Sequence, residues 1–339
     1  MAVDTLQATA QALVAPNKGI LAADESTRTI KKRFEAVGLE STEESRRQYR
    51  ELLLGAAGLE EHISGVILYD ETIRQAAGDG TPFPLLLSRR GVIPGIKVDK
   101  GTVALAGFPG ELVTEGLDGL RERFAEYRDL GARFAKWRAV IGIGIGLPTE
   151  GALAINAEAL ARYAALAQEA ELVPIVEPEV LMEGGHTLER AEEVTTAMLA
   201  HLFAALRAQR VLLEGLLLKP NMVVPGKGAV RQATPEEVAE ATLRTLRRTV
   251  PAAVPGIVFL SGGQTSEQAT ANLNAINNMG PQPWQLSFSF ARALQQPALE
   301  LWRGQAQQME PARRAFLKRA RLAAAARQGR YTPEMERAA

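Results

Sequence analysis

The sequence predicts an α/β fold: a single (β/α)8 TIM barrel over residues 1–339, with an extra N-terminal helix and a C-terminal helical tail. Short runs rich in Ile, Val, Leu and Phe recur eight times, each bounded by Gly, Pro or charged residues. The stretches between them are long enough for a helix. A strand followed by a helix, repeated in this way, is the pattern of this barrel. The predicted strands begin near Gly19, Gly65, Val92, Ala132, Leu172, Gly215, Gly256 and Trp284.

Several predicted strands are apolar at consecutive positions, as in residues 257–260. Such runs are typical of parallel strands that helices cover on both faces. Between the strands, Thr234 with Glu237 predicts a helix start with a capping box, and Ser41 with Glu44 predicts another.

Two further segments are predicted to be helical. Residues 152–171 are alanine-rich, with larger apolar residues at helical spacing, which favours a helix packed on the sheet. Beyond Arg313 the chain is basic and alanine-rich, and we expect a helix through Arg327. Residues from about 329 to 339 are expected to form a flexible tail. No linker or internal repeat divides the sequence, so one domain is expected.

Composition excludes several classes of function. Lys plus Arg and Asp plus Glu both number 39, so no overall charge attracts nucleic acid or a membrane surface, and neither partner is expected. The absence of cysteine excludes disulfides, thiolate nucleophiles and zinc–thiolate sites. The apolar runs fall short of the roughly 20 residues that span a membrane, and residues 1–10 lack the apolar core of a signal peptide. A cytoplasmic location is therefore expected.

Charged or phosphate-compatible residues follow all eight predicted strands. Catalytic groups in such barrels come from the carboxyl ends of several strands, so these side chains are expected to meet at one mouth. Lys219 ends the apolar run that begins at Gly215. It is a candidate Schiff-base nucleophile, because burial and neighbouring cations favour the free amine of a lysine. A single buried lysine is more often structural, but a barrel needs only apolar layers for stability, so the convergence favours catalysis.

The residue types at this mouth suit imine formation with a carbonyl substrate. Lys136 would supply the neighbouring cation, and Glu177 would transfer the protons that form and dehydrate a carbinolamine. Asp24 is a candidate base for a substrate hydroxyl. Ser261-Gly262-Gly263 would offer backbone N–H groups to an anion, and Arg292 would add a planar set of donors that matches phosphate.

Seven segments form an ordered series along the chain: Gly19-Ile-Leu-Ala-Ala-Asp24-Glu-Ser26-Thr, Gly95-Ile-Lys97-Val-Asp99-Lys100-Gly, Phe134-Ala-Lys136-Trp-Arg138, Pro174-Ile-Val-Glu177-Pro-Glu179, Leu217-Leu-Lys219-Pro-Asn-Met, Phe259-Leu-Ser261-Gly-Gly-Gln and Leu273-Asn-Ala-Ile-Asn277. Together they resemble class I fructose-bisphosphate aldolase. The resemblance runs from about Gly19 to Pro333, nearly without gaps.

The resemblance implies a homotetramer without metal or cofactor. It also implies reversible cleavage of a sugar bisphosphate, fructose 1,6-bisphosphate, to dihydroxyacetone phosphate and glyceraldehyde 3-phosphate in glycolysis and gluconeogenesis. Lys219 would form the imine, Glu177 would be the main proton shuttle, and Asp24 would act on the C4 hydroxyl. Lys136 and Glu179 would be their charged partners. The residues implied for the phosphate on C1 are Ser261, Gly262, Gly263, Ser289 and Arg292. Those implied for the other phosphate and the hydroxyls are Ser26, Thr29, Lys32, Arg33, Lys97 and Arg138.

The chain departs from the family at three places. Animal members end in a tyrosine that helps proton exchange, whereas Tyr331 lies well upstream of the last residues of this chain. Ala291 replaces a glycine beside the phosphate arginine, where a Cβ would narrow the approach to phosphate. Arg28 replaces another glycine and would either aid the second phosphate or face solvent.

Other functions stay open. The same imine chemistry would serve sedoheptulose 1,7-bisphosphate or fructose 1-phosphate, and a catalytically inert barrel would serve as a binding scaffold, since fold alone does not guarantee function. His62, His186 and His201 have no second ligand at metal-binding spacing, so no metal site is expected.

Overall fold

The computed structural model describes residues 2–337 and contains a closed barrel of eight parallel strands, which confirms the predicted fold class. The strands are β1 (Gly19–Ala23), β2 (Ile63–Leu68), β3 (Ile93–Lys97), β4 (Thr102–Ala104), β5 (Leu112–Thr114), β6 (Phe134–Ile141), β7 (Val173–Val180), β8 (Leu217–Leu218), β9 (Gly256–Phe259) and β10 (Gln285–Phe290). Strands β4 and β5 form a separate antiparallel pair. The others close in the order β1-β10-β9-β8-β7-β6-β3-β2.

Helices surround the barrel. They are α1 (Ala2–Leu13), α2 (Thr27–Glu35), α3 (Glu43–Leu54), α4 (Leu59–His62), α5 (Asp70–Ile73), α6 (Phe83–Ser88), α7 (Leu120–Asp129), α8 (Glu150–Glu169), α9 (Leu188–Ala208), α10 (Pro235–Thr249), α11 (Ser266–Asn278), α12 (Arg292–Trp302) and α13 (Met309–Arg327). None of the helices described within residues 2–337 is both long and apolar enough to cross a membrane.

Local sequence signals place two of these helices. Helix α10 begins at the predicted capping box, in which Thr234 N donates to Glu237 Oε2 at 2.9 Å and Glu237 N donates to Thr234 Oγ1 at 3.3 Å. The box predicted from Ser41 is wrong by one residue, because the Thr42 hydroxyl accepts from Ser45 N at 3.0 Å. A helix start has several hydroxyls within reach, and only one can take the extended cap conformation.

The interior of the barrel is apolar at its amino end. Side chains that alternate along the strands, such as Ile20 on β1 and Phe134 on β6, form one buried cluster with α1. Leu13 and Val14 come so close that a Cβ on Gly65 would lie 2.6 Å from Leu13 Cδ2. A Cβ on Gly256 would lie 2.5 Å from Val14 Cγ1. The N-terminal helix therefore closes the floor of the barrel.

The segment after α13 differs from the flexible tail that the sequence predicts. Tyr331 is buried, and its main-chain N donates to Asn274 Oδ1 at 2.9 Å. Its hydroxyl donates to Glu336 Oε1 at 2.9 Å, and Arg319 Nη1 donates to both carboxylate oxygens of Glu336. The buried ring of Tyr331 and the ion pair between Glu336 and the buried guanidinium of Arg319 hold this segment against the barrel. Residues 338–339 lie outside the described residues.

Candidate active site at the carboxyl ends of the strands

Strand alternation decides which side chains reach the mouth of the barrel. Ile20 and Ala22 face the interior of β1, so Asp24 two positions later shares that direction. Phe134 on β6 likewise leads to Lys136, with Trp137 pointing outward to stack on Tyr163 at 5.6 Å. On the other strands, too, every second side chain faces the barrel interior. The side chains placed at the mouth in this way are Lys97, Arg138, Glu177, Glu179, Lys219 and Ser289, which line one cleft of about 230 Å³ with Asp24 and Lys136.

Four of these side chains form a continuous chain of ion pairs. Lys219 Nζ lies 3.1 Å from Glu177 Oε1. The other oxygen of Glu177 lies 3.0 Å from Lys136 Nζ, which lies 2.7 Å from Asp24 Oδ2. All four side chains are at most 10% exposed. The Lys219 amine thus contacts the Glu177 carboxylate, and the carboxylates of Glu177 and Asp24 both contact the Lys136 ammonium.

The charges in this chain are fixed by their neighbours. Burial alone would raise the pKa of Asp24, but the Lys136 ammonium, with Lys219 and Lys97, lowers it well below the usual 3.8. The pKa of Glu177 is likewise lowered from 4.5, since Lys136, Lys219 and Arg138 outweigh its burial. Burial would lower the pKa of Lys136, yet Asp24 and Glu177 raise it above 10.5. At neutral pH the two acids are carboxylates and Lys136 is an ammonium.

A second group of charges flanks this chain. Arg138 Nε donates to Glu179 Oε2, and Lys97 Nζ lies 2.7 Å from Asp99 Oδ1. Burial would lower the pKa of Arg138, but Glu179 and Glu177 raise it above its usual value. These pairs supply permanent cations at the edge of the cleft.

An anion-compatible surface lies where β9 and β10 end. Ser261 and Gly262 line the cleft there, with Ser289 and with Arg292, the first residue of α12. The Ser289 hydroxyl is buried and has no hydrogen-bond partner in the described residues. A Cβ at position 262 would lie 2.5 Å from Glu179 Oε1, so any larger residue there would displace the Glu179 carboxylate. In TIM barrels, phosphate commonly binds at the loops after the last two strands and a nearby helix start.

Two glycine-related positions show how this surface is shaped. Gly263 adopts φ +79° and lies against Met182 and Lys227, beside the cleft. Ala291 lines the cleft with a negative φ of −106°, so it does not adopt the left-handed conformation that favours glycine.

The start of α2, which follows β1, forms another part of the cleft. Ser26, Thr29 and Arg33 line it, and the Ser26 hydroxyl caps the helix by accepting from Thr29 N at 3.4 Å. Lys32 and Arg28 are exposed on α2 and lie outside the residues that line the cleft. The structure thus brings together the predicted site residues except Lys32 and Gly263, and Arg28 faces solvent.

Sequence reasoning missed a buried cluster behind Arg33. Glu25 contacts Arg33, and its Oε2 lies 2.8 Å from Arg50 Nη1 on α3. Arg50 is only 2% exposed. The available signal was its position three and four residues before Leu53 and Leu54, on the apolar face of α3.

Tyr331 lies apart from the candidate active site. Tyr331 lines a separate cleft with Met182 and Gln264, not the cleft that holds Lys219. Among residues 2–337, no three His, Cys, Asp or Glu side chains come together in a group that could hold a metal ion. The site offers an amine, two carboxylates and anion-binding donors, which are the groups that imine chemistry on a phosphorylated carbonyl compound requires.

Comparison with known proteins agrees with this chemistry. The family model for class-I fructose-bisphosphate aldolase matches residues 5–339. A protein of Xanthomonas campestris described as a probable fructose-bisphosphate aldolase class 1 is 62% identical over 302 residues, 89% of this chain and 90% of that protein. The fructose-bisphosphate aldolase of Dictyostelium discoideum is 53% identical over 98% of this chain and 94% of its own length. A solved structure of the Plasmodium falciparum aldolase superposes with a TM-score of 0.96 at 50% identity, covering 98% of this chain and 96% of that chain.

Proposed function

This chain belongs to the class I fructose-bisphosphate aldolase family, and we propose that it cleaves its sugar bisphosphate through an imine on Lys219. As a member of that family it is an enzyme, a carbon–carbon lyase that acts on fructose 1,6-bisphosphate in glycolysis. The observation that carries the proposed mechanism is the chain of contacts from Lys219 through Glu177 and Lys136 to Asp24, at 3.1, 3.0 and 2.7 Å.

Imine formation begins at Lys219. Glu177, 3.1 Å from Lys219 Nζ, accepts a proton from the ammonium, and the free amine attacks the C2 carbonyl of the ketose. Glu177 then returns a proton to the C2 hydroxyl of the carbinolamine, which leaves as water. The product is a protonated imine whose positive charge lies at the Lys219 nitrogen.

Cleavage uses the other carboxylate. Asp24 accepts the proton of the C4 hydroxyl, and the electrons of the C3–C4 bond move to the imine nitrogen. Glyceraldehyde 3-phosphate departs and leaves an enamine on Lys219. Protonation at C3 and hydrolysis then release dihydroxyacetone phosphate. Lys136 keeps Asp24 ionised for this step, because its ammonium lies 2.7 Å from the carboxylate.

The two phosphates bind to two separate groups of residues in the cleft. We assign the C1 phosphate to the surface after β9 and β10, formed by Ser261, Gly262, Gly263, Ser289 and Arg292. We assign the other phosphate and the substrate hydroxyls to Ser26, Thr29, Arg33, Lys97 and Arg138. Lys32 stays a prediction from family resemblance alone, since it is exposed outside the cleft.

We also propose a single domain, a homotetramer and a cytoplasmic location. The family match from residue 5 to 339 supports the single domain. A relative from Arabidopsis thaliana, 54% identical, is described as cytosolic, which supports the location. Sedimentation analysis tests the assembly: a single species of four chains is expected, and a monomer at micromolar concentration would contradict it.

Borohydride trapping tests the proposed mechanism. Reduction in the presence of dihydroxyacetone phosphate is expected to inactivate the enzyme and to attach one triose phosphate to Lys219, identified by peptide mass spectrometry. Lys31→Ala, at an exposed lysine, is the control and should still be trapped. Full activity of Lys219→Ala, or activity that disappears in excess chelator, would refute the proposal.

A further inference from the structure

We propose that Arg50, which lies outside the cleft, sets the charge that Arg33 presents to the phosphate on C6 of the substrate. Arg50 is thus a positioning residue for recognition of the second phosphate. This inference rests on the proposed function, in which Arg33 faces that phosphate.

The carboxylate of Glu25 pairs with two arginines, Arg33 and Arg50. Glu25 Oε1 contacts Arg33 Nη1, whereas Oε2 lies 2.8 Å from Arg50 Nη1. Arg50 Nη2 also donates to the main-chain oxygen of Glu25 at 3.4 Å. The side chains of Glu25 and Arg50 are each 3% exposed, whereas that of Arg33 is 16% exposed. Of these three residues, Arg33 and Glu25 line the cleft and Arg50 does not.

The sum of charges follows from this arrangement. Burial would raise the pKa of Glu25, but Arg33 and Arg50 lower it below 4.5, so Glu25 is a carboxylate at neutral pH. Each of the two guanidinium groups carries one positive charge. The three groups therefore carry one net positive charge, and the group at the cleft that carries it is Arg33. Without Arg50, Glu25 and Arg33 would cancel, and this part of the cleft would attract a dianion less strongly.

Arg50 is held in place by its surroundings. Its guanidinium lies 5.9 Å from the ring centroid of Tyr49, its neighbour on α3. The Tyr49 hydroxyl donates to Gln295 Oε1 at 3.1 Å, and Gln295 donates to Ala22 O on β1 at 2.6 Å. The cation is thus fixed relative to β1, the strand that Glu25 follows by two residues.

Comparison of two substrates tests the proposal. We expect Arg50→Gln to raise the KM for fructose 1,6-bisphosphate about tenfold, the loss of roughly one charge-assisted interaction. The kcat and KM for fructose 1-phosphate, which lacks the second phosphate, should stay within about twofold. Arg50→Lys keeps the charge and should recover most of the affinity. Equal losses for both sugars, or no recovery by lysine, would overturn the proposal.

Binding of glucitol 1,6-bisphosphate, which has no carbonyl and forms no imine, separates the proposal from catalysis. Calorimetry on Arg50→Gln should give a Kd about tenfold weaker than that of the unchanged enzyme. If Arg50→Gln does not fold, Glu25→Gln is compared with Glu25→Gln/Arg50→Gln, and the single variant should bind severalfold more tightly. Equal Kd values would overturn the proposal. An enzyme that cleaves neither sugar would refute the proposed function, while the Kd comparison still measures the charge from Arg50.

Discussion

Replacing Lys136 by methionine should destabilise the protein by an amount that grows with pH. The Lys136 ammonium lies 2.7 Å from Asp24 and 3.0 Å from Glu177, and these side chains are at most 10% exposed. Removing one partner of a buried ion pair costs about 3–5 kcal/mol, because the other charge stays buried without compensation. We expect that loss in the free energy of unfolding at pH 7.

The sign of the pH dependence follows from the carboxyl groups. In the unchanged protein the pKa values of Asp24 and Glu177 lie below 3.8 and 4.5, so they contribute stability that is present above the unfolded values and lost as pH falls through the folded ones. Without the ammonium, burial dominates at Asp24 and raises its pKa. Asp24 then ionises at a lower pH in the unfolded variant than in the folded variant. The free energy of unfolding of the variant therefore falls as pH rises above about 4. The difference in free energy of unfolding between the two proteins should therefore be larger at pH 7 than at pH 4.

Urea denaturation at pH 4, 5, 6 and 7 measures this difference. Lys31→Met is a matched control, since Lys31 is 63% exposed and lies 3.9 Å from Glu35, and its effect should be at most about 0.5 kcal/mol at every pH. A loss in Lys136→Met that is the same at pH 4 and pH 7 would refute the electrostatic reasoning. Aldol cleavage should fall at least 100-fold in this variant, because Asp24 and Glu177 lose the cation that fixes their ionisation.

Two further predictions concern the phosphate surface and the docked C-terminal segment. Gly262→Ala should raise the KM for fructose 1,6-bisphosphate about tenfold by displacing Glu179, whereas Gly142→Ala, where a Cβ meets no atom within 4 Å, should not change it; equal kinetics of the two variants would contradict the close approach. Tyr331→Phe should leave proton exchange of dihydroxyacetone phosphate unchanged, because Tyr331 lines a different cleft, and should lower stability by about 1 kcal/mol through the lost bond to Glu336. Slower exchange in solvent tritium would show that the tyrosine reaches the imine.

Much of the fold and of the candidate site could be predicted from the sequence. Side chains on a strand alternate between two faces, and this pattern can be read from a few consecutive residues. The apolar run before Lys219 was therefore sufficient to place that side chain at the mouth of the barrel. Strand alternation also predicts that Trp137 points outward, away from Lys136. These inferences need only the chain direction and the convergence of parallel strands at one end.

The rest depends on contacts between distant segments. Arg50 lies 25 residues from Glu25 along the chain, and its place on the apolar face of α3 indicates burial but not the carboxylate that it pairs with. The docking of residues 331–336 depends on Arg319, 17 residues from Glu336, and on Asn274, 57 residues from Tyr331. Long-range pairing of this kind leaves no periodic signal in a single sequence.

Helix α1 closes the amino end of the barrel against Gly65 and Gly256, and this has a consequence for the order of events at the site. Because α1 packs against the amino end, we expect the bisphosphate to enter and both triose phosphates to leave at the carboxyl end of the barrel. In the proposed mechanism the fragment that carries C4 is free once the bond breaks, whereas the other is still attached to Lys219. We therefore expect ordered product release, in which glyceraldehyde 3-phosphate leaves before dihydroxyacetone phosphate. In the reverse reaction dihydroxyacetone phosphate binds first and the aldehyde second.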